Sequence, residues 1–181
     1  INIDFTKSSG SFLFDRKTNK PFLDLFSMFS SLPLGYNHPI FDESFDEKIK
    51  PIAHLRMSNN LFFSDELVDF QNKFNTISFH KNIQLCSTGA LAVESAIKCA
   101  FEYCKNPEAI VLGLKNGYHG INSWGFTTDN NISSVSERVK YFPKNNWKNI
   151  KIEELTFIIN NPKNFIAAVI VEPIQCTAGD I

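Results

Sequence analysis

A chain of 181 residues with 43% hydrophobic and 20% charged side chains can bury the core of an ordinary globular domain. Eighteen basic residues against nineteen acidic ones give a net charge of −1, so composition calls for neither nucleic acid nor an anionic membrane surface as a partner. No apolar run reaches the roughly 20 residues of a membrane span, and the N-terminus lacks the basic start and apolar stretch of a signal peptide.

In chain order, Ser11 to Phe26 reads as a β-hairpin, with Ser-Phe-Leu-Phe and Phe-Leu-Asp-Leu-Phe on either side of a turn-rich Asp15-Arg-Lys-Thr-Asn-Lys-Pro21. A polar loop follows through Leu34-Gly-Tyr-Asn-His-Pro39. Ile40 to Ile52 is expected to be one helix, with carboxylates early and lysines late as the helix dipole prefers. Asp65 to Phe74 is expected to be another, capped by Ser64. From Ile83 the pattern alternates. Ile83 to Cys86 is a short strand-like run, and Gly89 to Cys104 places Val93, Ile97, Ala100, Phe101 and Cys104 on one helical face. Strands are expected at Ala109 to Leu114, Arg138 to Phe142 and Ile166 to Val171, with a helix at Ile152 to Ile159. Such alternation implies an α/β protein with a mostly parallel sheet covered by helices.

The four cysteines, Cys86, Cys99, Cys104 and Cys176, form no Cys-x-x-Cys and have no His at metal spacing. They read as structural thiols of a reducing cytoplasm, and no metal site is expected.

Three segments carry chemistry. Ser87-Thr-Gly-Ala-Leu91 turns a strand into a helix through small residues. Free backbone N–H groups at a helix start beginning at Gly89 suit a phosphate, and Ser87 or Thr88 can cap the helix and donate a hydroxyl. The same turn is also what an ordinary capped helix needs. Tyr118-His-Gly120 sets a flat ring on a loop at a strand's C-terminal end, where open α/β sheets bind ligands; a surface aromatic packed on its neighbours would look the same. Glu172 closes the apolar run Ile-Ala-Ala-Val-Ile-Val, where a carboxylate either is paired within the scaffold or faces a polar cleft.

Taken together, in order and spacing, Thr88-Gly-Ala-Leu-Ala-Val-Glu94, Asn116-Gly-Tyr-His-Gly120 and Val171-Glu-Pro-Ile-Gln175 resemble the class III, pyridoxal-phosphate-dependent aminotransferases. The Gly-Ala-Leu-Ala-Val-Glu variant is similar to the L-lysine 6-transaminase branch. So are Gly10-Ser-Phe-Leu-Phe-Asp15, Phe22 to Ser31, Leu34 to Pro39, Ser58-Asn-Asn60 and Arg138 to Trp147.

That resemblance implies a fold-type-I PLP-dependent transferase. Residues 1–55 would belong to the small N-terminal domain and its linker, and 56–181 to part of the large PLP-binding domain with its mostly parallel sheet. It implies that Thr88, Gly89 and Ala90 hold the phosphate of pyridoxal 5'-phosphate, that Tyr118 stacks on its ring with His119 in the same loop, and that Glu172 and Gln175 stand on the substrate side. The Schiff-base lysine and the aspartate that pairs with the pyridine nitrogen are expected beyond Ile181, so the chain reads as the N-terminal part of a longer protein and as inactive alone. The reaction implied is ping-pong transfer of an amino group from lysine or a similar ω-amino compound to 2-oxoglutarate, by a cytoplasmic homodimer. Ile121, where the lysine branch has Arg, and Cys176-Thr177, in place of Gly-Glu, depart from that branch and make another ω-amino-acid or diamine donor the alternative within the enzyme class. A non-catalytic remnant of the fold is the alternative outside enzymes.

Overall fold

The structure is a computed structural model that describes residues 1–51, 53, 64–122 and 146–180. It divides into two compact units, residues 1–69 and 70–181.

The first unit starts from the expected hairpin. β1 (Phe12–Asp15) pairs antiparallel with β2 (Lys20–Leu23), in the register Phe12 to Leu23 and Asp15 to Lys20. Asp15 fixes the turn: its carboxylate accepts the N–H groups of Asn2, Lys17 and Thr18 and the Thr18 hydroxyl, and these donors hold its pKa down to about 2. After β2 the chain makes one tight turn, α1 (Ser27–Ser30), in which Ser27, Met28 and Phe29 all have positive φ. Gly35 lies so close to Gly10 that a Cβ would stand 2.4 Å from the Gly10 carbonyl oxygen. There the N–H of Gly10 and that of Tyr36 each donate to the other's carbonyl at 2.9 Å.

The single helix expected over Ile40 to Ile52 is two pieces. α2 (Pro39–Ser44) has Pro at its start and a His38 ring nitrogen accepting the Ile40 N–H. A π-helical stretch, Phe45–Ile49, follows, closed by Lys50 N–H donating to the Phe45 carbonyl at 2.7 Å. Dipole-matched charges report helicity but not which carbonyl each N–H selects. α3 (Asp65–Ile77) begins where expected, with Ser64 Oγ accepting the Leu67 N–H at 3.3 Å, and runs three residues beyond Phe74.

In the second unit β3 (Ile110–Leu114) is the central strand of three, flanked by β4 (Trp147–Ile150) and β5 (Ile166–Ile170), both parallel to it. Val111, Leu112 and Gly113 are fully covered, as a strand buried on both faces requires. Leu112, Ile150 and Ile158 form the core, with Ile110, Leu114, Leu155 and Ile166 packed on it. Burying each such aliphatic side chain contributes about 1.5–3 kcal/mol. Ile158 comes from α5 (Leu155–Ile159), which follows a 3₁₀ turn at Ile152–Glu154, so the expected helix there is part 3₁₀. α4 (Gly89–Cys104) packs on β5, burying Ile97.

Two strand expectations need correction or fall outside view. Ile83 to Cys86 joins no strand ladder among the described residues; an apolar run becomes a strand only with a partner beside it. Residues 138–142 lie outside the described residues. β4 itself was not expected. It reaches its place because Gly113 leaves room for the Trp147 indole: a Cβ there would stand 2.5 Å from the ring. Gly113→Ala is therefore expected to lower stability by about 1–3 kcal/mol in urea unfolding, with a shifted Trp147 emission in the native baseline.

Candidate active site

Parallel pairing brings the C-terminal ends of β3 and β5 to one edge of the sheet, and the chemistry-bearing residues gather there. The loop leaving β3 is bent hard. Lys115 N–H donates to Ile150 O and Gly117 N–H to Leu114 O, while Asn116 and Gly120 have positive φ. A Cβ on Gly117 would meet Leu114 O at 2.9 Å and His119 Nε2 at 3.1 Å, so this position has room only for glycine.

Glu172, two residues past β5, reaches across the sheet edge: its Oε2 accepts the Tyr118 N–H at 3.1 Å. Gln175 is buried, and its Nε2 donates to the Lys115 carbonyl at 2.8 Å. Tyr118 keeps 39% of its surface exposed, with its backbone N–H held by Glu172. His119 is buried beside Trp147, ring centroids 6.0 Å apart, and its Nε2 has no hydrogen-bond partner among the described residues.

The second arm of the site is the start of α4. Thr88 has an extended backbone, and its Oγ1 accepts the Leu91 N–H at 3.2 Å. The N–H groups of Gly89 and Ala90 have no acceptor among the described residues, and nothing lies within 4 Å of where a Gly89 Cβ would be. A helix of 16 residues thus presents free donors and its positive dipole end to open space. Gly120 joins the arms: a Cβ on it would stand 2.7 Å from Ala90 Cβ. Thr88, Gly89, Ala90, Tyr118, His119, Glu172 and Gln175 are thereby brought into one neighbourhood. Sequence reasoning missed the roles of Trp147 and Lys115 here. The spacing of Gly117 and Gly120 signalled a tight path but not its contact with Ala90.

These features fit a phosphorylated, planar cofactor: free N–H donors for the phosphate, an exposed ring for the plane, and one orphaned buried nitrogen beside them. The described residues hold no His, Cys, Asp and Glu cluster fit for a metal ion, and no described helix is long and apolar enough to cross a membrane. Near Glu172, the Cys176 thiol is pushed up in pKa, first by its hydrogen bond to Asp180 and by burial.

A helix start and an aromatic loop that meet at the C-terminal ends of parallel strands are the arrangement in which open α/β folds bind ligands. The chain belongs to the class-III aminotransferases, whose family profile matches residues 1–181. It is 26% identical over 215 aligned positions to an L-lysine-epsilon aminotransferase of Mycobacterium bovis, covering 99% of this chain and 47% of that protein. It is 27% identical to an acetylornithine aminotransferase of Prochlorococcus marinus, covering 100% of this chain and 45% of that protein. Among solved structures, a lysine aminotransferase from M. tuberculosis superposes with a TM-score of 0.82 at 26% identity, over 99% of this chain and 49% of that one. The chain thus spans about half the length of the relatives it matches, and its fold is that of the fold-type-I PLP-dependent transferases.

Two outcomes are expected. Gly120→Ala adds a methyl at φ +104 against Ala90 and should destabilise the protein by about 2–4 kcal/mol in chemical denaturation. Burial holds the His119 pKa below its ordinary 6.5, with the Glu172 charge opposing as the smaller effect. The folded state then binds fewer protons than the unfolded chain, so this contribution is complete above that pH and shrinks as pH falls through it. His119→Gln should lose less stability than the parent between about pH 7 and pH 5, read from urea midpoints.

Proposed function

We propose that this chain is part of a pyridoxal-phosphate-dependent transaminase that moves the terminal amino group of L-lysine, or of a similar ω-amino compound, to 2-oxoglutarate. Residues 1–55 would serve as the small-domain part and 56–181 as part of the large domain, in a cytoplasmic homodimer. The observation that carries the reading is the joining of the free Gly89 and Ala90 N–H groups to the Tyr118 loop through the Gly120–Ala90 contact.

Gly89 and Ala90 would bind the cofactor's phosphate dianion through their N–H groups, with the α4 dipole adding to the attraction. Thr88 caps the same turn and has its hydroxyl at that end. The Tyr118 ring would lie on the pyridine plane and exclude water from that side, and His119, kept neutral by burial, backs the loop without adding a charge. Glu172 and Gln175 stand on the substrate side of that loop. Pyridoxal phosphate supplies the electron sink for the bond broken at the amine-bearing carbon.

A specific observation favours a second donor class. Ile121 follows the loop directly, is 70% exposed, and offers no cation for a substrate carboxylate. With Cys176-Thr177 after Gln175, this suits an ω-amino acid other than lysine, or a diamine. The test is glutamate formation from 2-oxoglutarate by the whole protein, run against lysine, other ω-amino acids and diamines. Turnover with lysine supports the first donor, and turnover restricted to the others supports the second. Absence of turnover with every amine, together with failure to bind pyridoxal phosphate, contradicts the enzyme and leaves a non-catalytic remnant. The 181-residue chain alone is expected to show no turnover.

A further inference from the structure

We propose that Glu172 and Gln175 are positioning residues: together they clamp the backbone of the Lys115–Tyr118 loop and so set the plane of the Tyr118 ring, with Glu172 acting by its reach and not by its charge. The inference rests on the pyridoxal-phosphate reading for what the ring meets, but the clamp itself rests only on the residues described above.

Among the described residues, His119 buried on Trp147 and Gly120 against Ala90 hold the chain beyond Tyr118, and few other contacts restrain the backbone from Lys115 to Tyr118. Its own two backbone bonds, Lys115 N–H to Ile150 O and Gly117 N–H to Leu114 O, hold the start of the turn. Neither reaches Tyr118. The Tyr118 N–H donates to Glu172 Oε2 at 3.1 Å, and the Lys115 carbonyl accepts from Gln175 Nε2 at 2.8 Å. One side chain therefore holds each end of a four-residue segment, and both come from the turn after β5, 54 and 60 residues away in sequence. Gln175 is 8% exposed, and its amide nitrogen is committed to the Lys115 carbonyl. Gly117, between the two anchor points, has no side chain that could wedge the loop in place, so its path depends on them. Pro173, between the clamp residues, fixes φ in the turn that spaces them. A ring that must lie flat on a planar partner tolerates little tilt, so a loop held at both ends is what stacking needs.

Opposed conservative substitutions separate reach from charge. Glu172→Gln keeps the length and an acceptor oxygen but loses the charge. Glu172→Asp keeps the charge but falls one methylene short. Gln175→Glu keeps the length but loses the donor. Two readouts apply, both on the whole protein: amide hydrogen exchange at Gly117 and Tyr118 without cofactor, and the visible circular dichroism of added pyridoxal phosphate, which reports a fixed ring environment.

Glu172→Asp and Gln175→Glu are expected to speed Tyr118 exchange by about tenfold or more and to weaken the visible dichroism, while Glu172→Gln preserves both. Glu172→Gln proving as damaging as Glu172→Asp would assign Glu172 a role through charge and overturn the proposal. Unchanged exchange in all three would show that no clamp exists. Faster exchange with unaltered dichroism would show a clamp that does not position the ring, which also overturns it. If the parent protein gave no dichroism with pyridoxal phosphate, the functional reading would fail, and the exchange arm would still decide whether the clamp exists.

Discussion

The parallel pairing of β5 with β3 is the constraint on which the rest depends. Parallel strands end on the same side of a sheet, so the turn after Ile170 and the loop after Leu114 become neighbours however far apart they lie in sequence. Only that register lets a carboxylate at 172 reach an N–H at 118. An antiparallel β5 would deliver Glu172 to the opposite edge. The β3–β4 pairing beside it is held by burial: Leu112 and Ile150 pack with Ile158 of α5 with almost no exposure, and sliding β4 by one residue would turn Ile150 out of the core.

Glycine then sets how close the pieces come. At Gly113 the missing Cβ seats an indole, at Gly117 it lets the loop pass its own carbonyl, and at Gly120 it brings the loop against the first turn of α4. The third contact is the one that turns two separate features into a site. A helix start alone binds anions weakly and without selectivity, and an exposed tyrosine alone stacks on anything flat. Joined across Gly120, the free N–H groups and the tyrosine loop are held at a fixed separation, which is what the proposed phosphate and ring contacts need.

The elements with strong local signals were legible in the sequence. The hairpin, α4, β3 and β5 follow from turn residues, a 16-residue amphipathic repeat and continuous apolar runs. β4 was not legible, because Trp-Lys-Asn-Ile is short and half polar and becomes a strand only through the space beside Gly113. Ile83 to Cys86 shows the converse, an apolar run with no ladder beside it among the described residues. The π-helical stretch after Ser44 turns on a one-residue change in hydrogen-bond register that composition does not encode. At the site, the residue types of Thr88, Gly89, Tyr118, His119 and Glu172 were visible as motifs. Their partners were not, since the bonds from Glu172 to Tyr118 and from Gln175 to Lys115 depend on tertiary placement.

The most direct test of the account is a crystal structure of the whole protein with pyridoxal phosphate bound. Phosphate oxygens are expected within hydrogen-bonding distance of the Gly89 and Ala90 N–H groups, with the Tyr118 ring parallel to the pyridine and its N–H still donating to Glu172. A cofactor bound away from the start of α4, or a Tyr118 ring turned out of the site, would contradict it.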